Sequence, residues 1–280
     1  MSPHSRLRAL GLAVIDRAMM GGALARVSYR LGLHGSLAVT THEIVVPRVT
    51  GLPRPLTFAF ASDFHAGPTT HPEMFDRLTE ALSARAPDVV LLGGDFVSCR
   101  VAYLPMLLNA LARYRPPLGT YAVLGNHDVW AGAESISRQL VTAGVTVLVN
   151  ASARLPAPFE AVTLCGIDDP WVGRPDLNQA FAASGSVRIF LLHSPDGLAL
   201  LRGQRFDLAL AGHTHGGQIA LPGGTPIATG GGPLSRKYSR GRFELPGNGP
   251  LIVSRGIGCS ALPIRLNSDP ELTLCRLIGD

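Results

Sequence analysis

Charge is the scarcest feature of this sequence. Only 16% of its 280 residues are Asp, Glu, Lys or Arg, against about a quarter in an ordinary soluble domain. Long apolar runs are missing too. No stretch reaches the roughly 18 uninterrupted apolar residues of a membrane-spanning helix. The N-terminus lacks the ordered n-region, h-region and cleavage site of a signal peptide. There is no internal repeat, no long linker and no acidic tail. Helix-turn-helix, zinc-finger and RRM signatures are absent, which excludes sequence-specific nucleic-acid binding as the reading. The four cysteines, Cys99, Cys165, Cys259 and Cys275, form no CxxC pair. They read as reduced, mostly buried thiols of a cytoplasmic protein rather than a disulfide framework.

What charge there is sits unevenly. The net charge is +5, and most of it belongs to residues 1–48. There Arg6, Arg8, Arg17, Arg26, Arg30 and Arg48 face only Asp16 and Glu43. In the same segment Leu7, Leu10, Val14, Ala18, Leu24, Val27 and Leu31 recur at three- and four-residue steps, the helical period. Residues 1–49 therefore read as a basic amphipathic arm ahead of a domain at 50–280. Such an arm can lie on an anionic membrane, or it can pack its apolar stripe on the domain. Gly21-Gly22 weakens either helix.

Beyond residue 50, short apolar strands alternate with helical segments, the pattern of an α/β layered fold. Strands are expected at 56–62, 88–93, 120–124, 145–149, 162–166, 187–193, 207–211, 251–255 and 272–276. Helices are expected at 72–85, 101–114, 133–143, 176–183 and 197–201. Pro222–Asn248 reads as a long surface loop.

Five of these strands end in side chains able to bind a metal. The first ends in Asp63-Phe64-His65, the second in Gly94-Asp95 and the third in Gly125-Asn126-His127-Asp128. The others end in His193 and in Gly212-His213-Thr214-His215. Sites in α/β sheets collect at the carboxyl ends of strands. One histidine there would be unremarkable; five, with Asp63, Asp95 and Asn126, are hard to explain by packing. Imidazole and oxygen donors together suit Mn²⁺, Fe or Zn²⁺ better than Ca²⁺ or Cu(I). His213 and His215, two apart on an extended segment, are expected to reach one centre after a turn at Gly212.

Taken in order, Asp-x-His, Gly-Asp, Gly-Asn-His-Asp, a lone His and Gly-His-x-His resemble the calcineurin-like metallophosphoesterases over residues 56–277. Gly212–Gln218 and Ser254-Arg255-Gly256-Ile257-Gly258 resemble a membrane-associated bacterial branch, which includes phosphodiesterases and UDP-diacylglucosamine pyrophosphatases. The resemblance implies a four-layer αββα sandwich of two mixed sheets flanked by helices, built around two divalent ions. Asp63, His65 and His215 would bind one ion, Asn126, His193 and His213 the other, and Asp95 both. A metal-bridging hydroxide would attack phosphorus, and His127 would protonate the leaving oxygen. In many relatives a second acid, three residues after the Gly-Asp pair, orients this histidine. Ser98 stands there instead, leaving Asp128 as a possible orienter.

Arg236, Lys237, Arg240 and Arg242 follow the flexible Gly231-Gly232-Pro233. They are expected to bind a second phosphate or an anionic headgroup. The expected activity is hydrolysis of a phosphodiester or pyrophosphate bond in a lipid- or nucleotide-linked substrate. The expected location is the cytoplasm, peripheral on the inner face of the membrane. Two alternatives stand: a soluble nucleotide phosphodiesterase, and a non-catalytic metal-binding module of the same fold.

Overall fold

The computed structural model describes Val14 and residues 17–46, 52–183 and 185–279. Arg6, Leu7, Arg8, Leu10, Asp16 and Arg48 of the arm lie outside the described residues. The elements in chain order are α1 (Ala23–Arg30), β1 (Ala38–Val46), β2 (Leu56–Ala61), α2 (Glu73–Arg85), β3 (Val89–Leu92), α3 (Leu104–Leu111) and β4 (Thr120–Ala122). They continue as α4 (Asn126–Thr142), β5 (Val145–Val147), β6 (Ala151–Arg154), β7 (Val162–Gly166), α5 (Leu177–Ala180), β8 (Val187–Leu191) and β9 (Leu208–Ala211). The last are α6 (Pro233–Lys237), β10 (Gly241–Phe243), β11 (Leu251–Val253) and β12 (Glu271–Gly279).

The strands make two six-stranded mixed sheets, ordered β1-β12-β2-β3-β4-β5 and β10-β11-β9-β8-β7-β6. The sequence of β2, Leu-Thr-Phe-Ala-Phe-Ala, shows why they stack. Phe58 and Phe60 enter the core shared with Leu164, Ile189, Leu191, Leu208 and Leu210 of the other sheet. Ala59 and Ala61 face the opposite way, toward Leu78, Leu82, Leu107, Ile136 and Leu140 of α2, α3 and α4. Large and small residues thus alternate with the period of two that a strand imposes. Each fully buried Phe contributes roughly 2 kcal/mol. The outer face of the second sheet carries Cys165, Phe190 and Ala209 against Leu177, Ala180 and Phe206. The architecture is the expected α/β sandwich with flanking helices. Cys165, Cys259 and Cys275 are buried, Cys99 is half-buried, and none of the four is in a disulfide.

Four local expectations are corrected. Residues 38–46, read within the arm, form β1, which pairs in parallel with β12 over its whole length, from Ala38↔Glu271 to Val46↔Gly279. The last part of the arm is therefore sheet, because β12 would otherwise present an unpaired edge. The helix expected at 133 starts at Asn126, and Gly132, at φ 137, kinks it rather than preceding it. The long loop after Pro222 contains α6 and β10. His213 and His215 do not lie on an extended segment: their φ values are 71° and 52°, so both residues are turned.

Candidate metal centre

The centre lies at the carboxyl ends of β2, β3 and β4 from one sheet and of β8 and β9 from the other. The backbone there is strained. Asp63, His65, Asp95, His213 and His215 all have positive φ, between 44° and 71°. Non-glycine residues seldom adopt this left-handed conformation, and its cost, of order 1–3 kcal/mol each, is tolerated chiefly at functional sites. Two glycines are needed for close approach. A Cβ at Gly125 would sit 2.3 Å from Asp95 Oδ1, and one at Gly212 would sit 2.3 Å from Asp63 Oδ2.

The side chains converge in two overlapping groups. In the first, His65 Nε2 lies 3.0 Å from His215 Nε2, and His215 Nε2 lies 3.5 Å from Asp63 Oδ1. In the second, His213 Nδ1 lies 3.2 Å from His193 Nε2. Asp95 Oδ2 joins them, 3.4 Å from His65 Nε2 and 3.3 Å from His193 Nε2. Asn126 Oδ1 is buried with no hydrogen-bond partner. Asp63, His65 and His215 could hold one cation, and Asp95, His193 and His213 a second. A buried orphan oxygen and imidazole nitrogens aimed at one another are what a cation would satisfy, so the donor set fits divalent metal.

Electrostatics agree for three of the four ligand histidines. Burial first, and then the neighbouring imidazole (His127 for His65, His65 for His215), keeps His65 and His215 well below the usual histidine range. Burial and His193 bring His213 down to about 4. These three are thus neutral, as ligands must be. Burial alone would raise Asp95, but His193, His127 and His65 outweigh it and hold the carboxylate well below its ordinary value. Burial lifts Asp63 to about 6. His193 resists the lowering effect of burial because Asp95 and Asp63 pull its proton affinity well up.

Ser98 does not leave His127 without an orienter. The ring Nδ1 of His127 lies 2.6 Å from the Ser98 carbonyl oxygen, so the backbone supplies the acceptor that a side-chain acid would otherwise supply. The Ser98 hydroxyl turns away to the His65 carbonyl at 2.9 Å. Asp128 is not the partner of His127. Its carboxylate accepts from the N–H groups of Gly125 at 2.9 Å, Phe96 at 2.8 Å and Val97 at 3.4 Å. Burial and then Asp95 push this carboxyl up to about 8. It therefore ties the Gly-Asp turn to the first turn of α4. Asp128→Ala leaves these buried N–H groups unpaired and is expected to cost about 3 kcal/mol, seen as a lower urea midpoint with an unchanged slope.

A pocket of about 340 Å³ opens onto the centre. Besides the metal-capable side chains, it is lined by Trp130, Thr214, Gln218, Ala228, Gly230 and Ser260, among others. Trp130 was missed because α4 was expected to begin later. A helix from Asn126 sets Trp130 one turn beyond His127, with ring centroids 4.9 Å apart. Asp196 was missed as well. It accepts from the N–H groups of Gly232 at 2.9 Å and Leu234 at 3.0 Å and so fixes the segment carrying Gly230. Asp168 and Asp169 cap their own turn, accepting from Arg174 N–H and Trp171 N–H.

None of the four cations expected at the substrate is among the residues that line the pocket. Arg236 donates to the Gly231 carbonyl, and Lys237 sits over the Tyr238 ring. Arg240 donates to the carbonyls of Gly223 and Asn267. Arg242 pairs with Glu244 and donates to the Glu43 carbonyl on β1. Among the described residues, no Arg or Lys lines the pocket. These cations brace the loop instead, because each lies within reach of a carbonyl, carboxylate or ring that the fold leaves near the surface.

The geometry agrees with the relatives of this sequence. The calcineurin-like phosphoesterase family matches residues 56–217, the span from β2 through the last histidine pair. Phosphodiesterase YaeI of Escherichia coli is 32% identical over 69% of this chain and 71% of its own length. A metallophosphoesterase of Aquifex aeolicus is 29% identical over 78% of this chain and 84% of its own length. A transmembrane protein with a metallophosphoesterase domain, from Danio rerio, is 29% identical over 82% of this chain and 55% of its own length. With the motifs, the two-sheet frame and the convergent ligand atoms in agreement, this chain belongs to the calcineurin-like phosphoesterase family and is a metal-dependent phosphoester hydrolase.

Proposed function

We propose that this hydrolase cleaves a phosphodiester or pyrophosphate bond in a lipid- or nucleotide-linked substrate, using two divalent ions, at the inner surface of the membrane. The observation carrying the catalytic reading is Asp95 Oδ2, within 3.4 Å of His65 Nε2 and 3.3 Å of His193 Nε2. One carboxylate oxygen thus adjoins both ligand groups. Asp63, His65 and His215 would hold one ion, and Asn126, His193 and His213 the other; Mn²⁺, Fe or Zn²⁺ suits the set. When bound, the ions supply Lewis acidity and a nucleophile from water at neutral pH. His127, its Nδ1 tied to Ser98, offers Nε2 to the departing oxygen and gives it a proton. Water adds at phosphorus, the P–O bond to the leaving group breaks, and the products are a phosphate monoester and an alcohol, or two phosphates.

The membrane reading rests on which way α1 faces. Its small residues Ala25 and Ser28 are buried, while Leu24, Val27 and Leu31 are exposed. The apolar stripe is therefore not spent on the core, and Arg26 and Arg30 flank it. No helix among the described residues is long and apolar enough to cross a membrane, so attachment would be by an interfacial helix. The Danio rerio relative is named as a transmembrane protein, which accords with this placement.

The test uses the full chain, because removing residues before 50 would strip β1 from its sheet. Loaded with Mn²⁺, it is expected to bind two ions by elemental analysis and to release p-nitrophenolate from bis(p-nitrophenyl) phosphate. No turnover with metal bound would favour the non-catalytic module. The protein should float with phosphatidylglycerol vesicles. Arg17→Glu/Arg26→Glu/Arg30→Glu should weaken that binding by about a hundredfold, at about 1 kcal/mol per basic residue. If the wild-type chain stays in the soluble fraction, the soluble phosphodiesterase reading replaces this one.

A further inference from the structure

Ten of the fourteen large apolar side chains exposed among the described residues fall in two places: residues 14–33 and the loops 221–266. In the second group, Leu221, Ile227, Leu262 and Leu266 are between 48% and 64% exposed. Single exposed leucines are ordinary, but a contiguous group marks an interaction surface.

This group begins where the pocket ends. Gln218, which lines the pocket, donates its side-chain amide to the carbonyls of Leu262 and Ile264 and accepts from Ser260 N–H. Short bridges, Ile219↔Leu266 and Ala220↔Pro226, hold the two loops side by side. Arg240, through the Gly223 and Asn267 carbonyls, clamps them from beneath. The group also continues into α1. The Ser28 hydroxyl donates to the Pro263 carbonyl, and the Arg265 backbone N–H donates to the Leu33 carbonyl. The segment of α1 and Leu33 is thus tied to the loop that borders the pocket mouth by direct contacts, made from the buried side of the helix.

Charge selects the occupant. Arg17, Arg26 and Arg30 are exposed beside the stripe and make no ion pair with other described residues. A second copy docking through the same face would set these arginines against their own equivalents, whereas an anionic lipid surface would neutralise them. The pocket adds a constraint on the substrate. With no Arg or Lys in its lining among the described residues, it offers a second phosphate no guanidinium or ammonium group from them, and the apolar rim offers nothing to a polar leaving group beyond the mouth.

We propose that the rim and α1 together seat on an anionic bilayer, and that the substrate is a phosphodiester bearing an apolar chain. The chain stays in the lipid while the phosphate reaches the metal centre. The inference rests on the phosphoesterase reading and narrows it, setting aside pyrophosphates and free nucleotides.

Full-length protein is compared on two probes: bis(p-nitrophenyl) phosphate in solution, and hexadecyl p-nitrophenyl phosphate in phosphatidylglycerol vesicles. Leu221→Ser/Ile227→Ser/Leu262→Ser should lower the rate on the vesicle probe by about tenfold or more, since each apolar side chain contributes to lipid burial. Its rate on the soluble probe should stay within about twofold of wild type. Leu24→Ser/Val27→Ser, away from the pocket, should act in the same direction. Unchanged vesicle rates in both variants overturn the proposal. So does an equal loss on both probes, which would give the rim a structural role, or a wild-type dimer that these substitutions dissociate. Wild-type inactivity on both probes falls instead on the phosphoesterase reading.

Discussion

Asp95→Asn is expected to abolish turnover and to release both metal ions. Asp95 is the side chain shared between the two ligand groups, and it is buried with no Arg or Lys partner among the described residues. Its other oxygen accepts the His127 backbone N–H at 2.8 Å. An asparagine can keep that one hydrogen bond. It cannot also present an oxygen to the ligand nitrogens, because its amide –NH₂ would point at them. The neutral side chain, moreover, removes the negative charge that opposes two nearby cations. Removing one partner from a buried charged pair costs about 3–5 kcal/mol, equal to roughly a 10²–10⁴-fold loss in metal affinity. Elemental analysis of the purified variant should therefore find well under one ion per chain, and p-nitrophenolate release should drop to background. Two retained ions at the wild-type rate would overturn the bridging role.

His127→Ala is expected to keep both ions and lose most of the rate. The contact of residue 127 with Asp95 is through its backbone N–H, which alanine preserves, so the ligand framework is not disturbed. The lost group is a ring that lines the pocket with Nδ1 held by the Ser98 carbonyl. General acid catalysis is worth about 10²–10⁴-fold. The loss should depend on the leaving group. An alkyl phosphodiester, whose alkoxide needs a proton, should lose the full factor. A p-nitrophenyl ester, whose leaving group departs readily as an anion, should lose much less. An equal loss on both would assign His127 to stabilising phosphoryl charge rather than to proton donation.

The site was legible to the extent that it is local. Each ligand follows a short apolar strand, and the strand's residues announce it: Val89–Leu92 is four buried aliphatics followed by the turn that delivers Asp95. The expectation of five strand ends at one edge rested on that pattern together with the family resemblance. Less was legible where the outcome depended on what a segment meets. Residues 38–46 look no different from an amphipathic arm until β12 is there to pair with them. The start of α4 was hidden because Asn126-His127 resembles a loop motif. What turns it into a helix is Asp128, whose carboxylate reaches the Gly125 and Phe96 N–H groups, the second across the chain.

The basic loop shows the same division. Arg236, Lys237, Arg240 and Arg242 follow a flexible glycine run, and proximity in sequence suggested proximity to substrate. Tertiary packing sent their side chains to carbonyls, a carboxylate and a ring instead. Likewise the helical period of the arm could not say which of its faces would be buried.

By itself, the sequence determined the alternation of strands and helices, the donors at the strand ends and the basic, apolar character of residues 1–48. All of these are properties of residues and their near neighbours. Only the tertiary structure decided that Asp95 stands between two ligand groups, that a backbone carbonyl orients His127, that the loop cations leave the pocket, and that Leu24, Val27 and Leu31 face outward. The reason is that hydrophobic period and donor type are set within a few residues, whereas a side chain's partner is set by whichever distant segment the packed sheets bring within hydrogen-bonding distance.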